Sequence, residues 1–169
     1  MGSLMGLWLL LAAFAANAGF DPLAELPGAQ PVGTGKLTWL GMTVYQATLY
    51  APDGVYQPER PHALRIRYEF SFSRESLART TLQEIERMHG TLRAGAQLVQ
   101  RLSAVFRDVG KGDQITGVHH PGEGAVFYST ESLLGRLDDP VLASAFFDIW
   151  LDPRTREPDL RKQLLGLAP

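Results

Sequence analysis

The sequence predicts an α+β fold, a largely antiparallel sheet with helices packed on one face. Three observations predict it. Residues 62–70 (HALRIRYEF) alternate apolar and polar side chains with the period of a strand. Residues 74–89 carry Leu77, Thr81, Leu82, Ile85 and Met88 at helical spacing. The elements then run strands, two helices, strands, two helices, and helices laid over one sheet face bury such a set.

Residues 19–35, rich in proline and glycine, read as an extended or irregular lead-in to a domain spanning 36–167. Lys36–Leu40 is expected as the first strand, and Met42–Tyr50 as the second, with Gly41 bending the chain between them. Pro52, Asp53 and Gly54 supply a turn. In the strand at 62–70, His62, Leu64, Ile66, Tyr68 and Phe70 share one face, while Ala63, Arg65, Arg67 and Glu69 form a wet one. Ser73 caps the helix at 74–89, and a second helix follows over 91–105.

Residues 113–120 (DQITGVHH) form the next strand, PGEG (121–124) its turn, and 125–130 the returning strand, with a short strand at 132–137. Asp138 or Asp139 caps a helix opened by Pro140 that runs through Leu151 and is apolar almost all round. Pro153 stops it, and Pro158 opens a short last helix.

Ahead of all this, residues 4–16 (LMGLWLLLAAFAA) are uncharged and apolar, and Ala16-Asn17-Ala18 fits a small-x-small cleavage pattern. Residues 1–18 therefore read as an export signal, which places the domain in the periplasm or otherwise outside the cytoplasm. An uncleaved anchor is the alternative, and the one route by which the chain would meet a membrane.

Composition narrows the chemistry. Sixteen Lys and Arg against 18 Asp and Glu give a formal charge of −2, so no basic excess exists to grip nucleic acid. The absence of cysteine removes disulfides, thiol nucleophiles and Cys-based metal sites. Neighbouring His119 and His120 point to opposite faces of a strand and cannot easily share a metal. Asp138 and Asp139 are explained by capping. The GTG at 33–35 lacks a phosphate-loop frame, and no serine sits in a G-x-S-x-G elbow. No metal or cofactor is expected, and no protein partner is specified.

Trp39, Met42, Thr43, Tyr45, Tyr68, Phe127, Tyr128 and Trp150 are expected either to pack the core or to line a cleft for an apolar ligand. Lys36, Thr43, Tyr45 and Arg67 could orient an acidic or phenolic head group there. The ligand-binding set read from the sequence is thus Lys36, Trp39, Thr43, Tyr45, Arg67 and Tyr68.

Four stretches, TVYQATLYAPDG (43–54), ALRIRYEFSFSRESLARTTLQEI (63–85), VFRDVGKGDQITGVHHPGEGAVFY (105–128) and FYSTESLLGRLDDPVLASAFFDIWLDPRTREPDLRKQLLG (127–166), resemble bacterial chalcone isomerase-like proteins. The resemblance implies an open-faced β-sandwich, a large curved antiparallel sheet with helices over one face. It also implies a comparison with the plant enzymes, in which an arginine early in the domain steers a phenolate, helped by a threonine, a tyrosine and an asparagine. Residues 33–45 contain no arginine, and Lys36 is the only cation. The strand threonine falls nearest Tyr45, with Thr43 on the same face, and residues 86–106 hold neither tyrosine nor asparagine.

Lysine lacks the planar donor fork of arginine, so the expectation is an exported, non-catalytic protein that binds a small apolar or amphipathic molecule such as a fatty acid. Two alternatives stand beside it. One is an isomerase of the intramolecular lyase type acting on a chalcone-like enone through Lys36, Thr43 and Tyr45. The other is an envelope assembly or interaction protein without a small-molecule ligand.

Overall fold

A computed structural model describes residues 20–92 and 95–167. Six strands form one antiparallel meander: β1 (Ala29–Trp39), β2 (Met42–Pro52), β3 (His62–Tyr68), β4 (Gln114–His120), β5 (Gly124–Tyr128) and β6 (Leu133–Leu137). Spatial order equals chain order, and β1 and β6 are the two edges, so the sheet stays open rather than closing into a barrel. Helices α1 (Arg74–His89) and α2 (Gly95–Val105) lie between β3 and β4; α3 (Pro140–Leu151) and α4 (Pro158–Leu164) follow β6. The expected export signal lies outside the described residues. Among those that are described, no helix is long and apolar enough to cross a membrane.

The local signals act as expected. The Ser73 hydroxyl accepts from the Ser76 N–H at 3.1 Å to open α1, and Gly90, at φ 87°, ends it. Asp139 is the cap of α3: its carboxylate accepts from the Leu142 N–H at 2.9 Å and from Arg101 at 3.1 Å. The helical excursion between β3 and β4 is tied at its base by paired backbone bonds between Phe72 and Val109, both 2.9 Å.

The first strand differs from expectation. It begins at Ala29 rather than Lys36, because Gly33 and Gly35 are strand residues that admit α4. A Cβ on Gly33 would collide with the backbone carbonyls of Gln163 and Leu164, and one on Gly35 with Leu160 and Gln163. The glycines are there for close approach of a helix, not for a turn. The second helix, expected over 91–105, is described over Gly95–Val105.

The main core lies between sheet and helices. Phe127 of β5 meets Phe106 and Phe146 edge-on, with ring centroids 5.6 and 5.1 Å apart, and Phe146 meets Trp150 at 5.2 Å. The opposite face of the sheet is not uniformly wet. At one end Ala63, Val118, Val126 and Tyr128 are buried under Leu26 of the lead-in, with Leu23 packed alongside. Further along, Arg65 bonds Tyr50 and Thr116, and Arg67 pairs with Glu69 at 3.0 Å.

Candidate binding cavity

Core filling is incomplete between β2–β4 and the helices α1 and α3, where a cavity of about 330 Å³ remains. Its floor is the helix-facing side of the sheet, with Leu37, Tyr45, Leu64, Ile66, Tyr68, Ile115 and Gly117. Phe106, Phe127, Phe146, Ile149 and Trp150 close its inner walls. Gly117 has no side chain to offer, and any Cβ there would press on Phe127 and Phe147 at 3.1 and 3.3 Å. From α1 come Leu77 and Thr81, then Ser76, Thr80 and Glu84 toward the rim. The loop Thr155–Glu157 between α3 and α4 forms the other lip.

Three hydroxyls, those of Tyr45, Tyr68 and Thr81, interrupt this apolar interior. Tyr45 accepts a hydrogen bond from the Trp150 indole N–H at 2.9 Å, leaving its own O–H proton free to donate. Burial, with small contributions from Glu157 and Glu84, raises its pKa to about 12. Tyr68 stands edge-on to Tyr45, centroids 6.4 Å apart, and is 7% exposed. Burial drives its pKa up further still, and no protein hydrogen bond offsets that. Both phenols are therefore neutral donors at physiological pH.

Charge is confined to the rim. Arg156 is held by Glu84 at 3.0 Å, and Glu84 also takes Arg87 at 2.9 Å. Glu157 lines the cavity without an ion pair among the described residues. Next to this opening is a second, shallower groove containing Trp39, Met42, Phe70 and Phe72. It shares Leu37, Val44, Phe72 and Glu157 with the cavity. Around it Trp39, Leu40 and Met42 at the β1–β2 hairpin tip are 65%, 78% and 49% exposed.

The residues read from the sequence separate into three groups. Tyr45 and Tyr68 meet in the cavity, and Trp39 lies in the neighbouring groove. Lys36 falls between Gly35, which faces α4, and Leu37, which lines the cavity; strand alternation turns its side chain to the other face. Arg67 is on that same far face, beside Glu69, and Thr43 is half-buried at the end of β2 outside the cavity lining. Phe127 and Trp150 are in the wall, whereas Tyr128 packs against Phe20 and Leu26 on the opposite side.

Sequence reading missed the contribution of α1 and of Thr155–Glu157. Ser76, Thr80 and Glu84, spaced i, i+4, i+8 beside the Leu77–Thr81 stripe, are the signal that could have marked a helix face turned toward a polar-rimmed opening.

His62 and His119 lie toward the far end of the same core. Their rings are 4.9 Å apart, and His119 stacks on Phe147 at 4.7 Å. His120 turns the other way, toward Glu25 at 3.5 Å, as the alternation of a strand requires. Among the described residues no group of side chains could hold a metal ion.

These features define an open-faced α+β sandwich with an apolar cavity between its layers. The chain belongs to the chalcone isomerase-like family, whose pattern it matches over residues 32–166. Among solved structures it is similar to a fatty-acid binding protein of Arabidopsis thaliana, with a TM-score of 0.63 and 13% sequence identity. That match covers 86% of this chain and 90% of the plant protein, and at such identity it speaks for the fold alone. No curated protein matches the sequence.

Proposed function

We propose that this protein is a non-catalytic binding protein that holds a small apolar or amphipathic molecule between its sheet and its helices. The observation that carries the reading is the cavity of about 330 Å³, mostly apolar inside, with the hydroxyls of Tyr45, Tyr68 and Thr81 in its interior and charge at the rim. Its size is at the lower end of the range for small-molecule sites, about 300–1,000 Å³. The plant protein of similar fold is a fatty-acid binding protein, which makes long-chain amphiphiles the first class to assay. Support for a non-catalytic role comes from Lys36 and Tyr45 facing opposite sides of the sheet, so the only cation of 33–45 does not join the cavity hydroxyl. We further propose that residues 1–18 direct export and that the domain works outside the cytoplasm.

Calorimetric titration of the protein with a homologous series of alkyl chains tests the reading. Each added methylene should strengthen binding by up to about 0.8 kcal/mol until the cavity is full, and Leu77→Trp, which fills it from α1, should abolish binding. Absence of saturable binding across the series, or binding indifferent to Leu77→Trp, would remove the proposal. The exposed Trp39, Leu40 and Met42 favour a second role in contacting a surface or partner, tested by whether their replacement with serine leaves titrations unchanged while abolishing any association.

A further inference from the structure

We propose that the cavity selects uncharged ligands whose polar end is a hydrogen-bond acceptor, such as a ketone, ester or quinone-type carbonyl, over carboxylates. The inference rests on the binding role proposed above and assigns the class of ligand.

The polar groups of the interior, the hydroxyls of Tyr45, Tyr68 and Thr81, are neutral, and each can donate to an acceptor. The Tyr45 oxygen already receives the Trp150 N–H at 2.9 Å, so its remaining capacity includes its O–H proton. Tyr68, 7% exposed and facing the cavity, has no protein partner among the described residues. A carbonyl oxygen, with two lone pairs, can accept from these phenols.

A carboxylate could accept the same bonds but would carry its charge out of water, and that costs several kcal/mol unless a cation is at hand. The cavity has none to spare. Lys36 and Arg67 are on the other face of the sheet. Arg156, the only cation in the lining, is held 3.0 Å from Glu84. Leaving the head group at the mouth does not escape the difficulty, because the Glu157 carboxylate, without an ion pair among the described residues, lies on that rim.

The test is competition against a neutral solvatochromic dye at pH 8, using the full chain and a matched trio: decanoate, methyl decanoate and 2-undecanone. The ester and the ketone should displace the dye at least about tenfold more tightly than the acid. Tyr68→Phe, with folding checked by its thermal melt, should weaken the ketone about threefold to tenfold. Glu157→Gln should strengthen decanoate severalfold relative to the ketone.

Decanoate binding as tightly as the ester, and lost in Arg156→Met, would overturn the inference and assign the head group to Arg156. Ketone binding unaffected by Tyr68→Phe would also overturn it. If none of the three displaces the dye, and the dye itself binds equally to Leu77→Trp, the binding role fails along with the ligand class.

Discussion

His62 Nδ1 lies 2.9 Å from the Arg60 carbonyl, which can only accept, so His62 carries its proton there. Its Nε2 is then an acceptor, and His119 Nδ1, 3.3 Å away, must donate. That leaves His119 Nε2 as a bare lone pair, buried and without a partner among the described residues. Both rings are thus neutral Nδ1–H tautomers, and long-range proton–nitrogen NMR correlations should show this directly. Burial, then the neighbouring His62 and His120, lowers the His119 pKa from 6.5 to about 4; burial lowers that of His62 as well.

The sign of the pH dependence follows. Between about pH 6.5 and 4 the unfolded chain binds a proton that the folded chain refuses, so stability is full above this window and falls as the pH drops through it. For His119 alone the loss is on the order of 3 kcal/mol. Urea midpoints measured from pH 7 to 4 should decline accordingly, and His119→Leu should flatten the decline. An unchanged slope in that variant would contradict the assignment.

At the scale of elements, the two ends of the domain are fastened by different devices. Asp139 opens α3 with a hydrogen bond to the Leu142 N–H, and that bond, ahead of Arg101, holds its carboxyl below the usual range. Asp139→Ala should cost about 1 kcal/mol in chemical denaturation. The α4–β1 contact depends instead on what is missing. Gly33→Ala would drive a methyl group into the α4 backbone and should cost about 1–3 kcal/mol, with hydrogen exchange showing the loss concentrated at 158–164. A uniform loss over the sheet would argue against α4 as the affected element.

This contact also explains why the start of the sheet was hidden in the sequence. Proline and glycine at 27–35 carry the local signature of a loop, and only a helix from the far end of the chain gives the glycines their purpose. Capping, alternation and helical spacing are local, so β3, α1 and α3 were legible to within a residue or two.

At the scale of the whole molecule, the cavity lies where the sheet is least covered, since the helices pack chiefly on β1, β5 and β6 rather than on central β3. Its aromatic lining was legible only in part: Tyr45, Tyr68, Phe127 and Trp150 stand out in the sequence as core or cleft residues, whereas Phe72, Phe106 and Phe146 do not. Its charged rim was not, because Glu84, Arg156 and Glu157 come together only once α1 and the α3–α4 loop are packed. Arg67 shows the reverse, since the alternation of β3 already put it on the face away from Tyr68. A ligand that binds only the folded state should stabilise it by about 2.7 kcal/mol at a hundredfold excess over Kd, seen as a Tm rise that Leu77→Trp removes.

The measurement that tests the central claim most directly is native mass spectrometry of the protein isolated from its own cells and again after incubation with neutral alkyl ketones. The account predicts a one-to-one adduct that is released on denaturation and absent from Leu77→Trp. A bare mass in both preparations, or an adduct that Leu77→Trp retains, would contradict it.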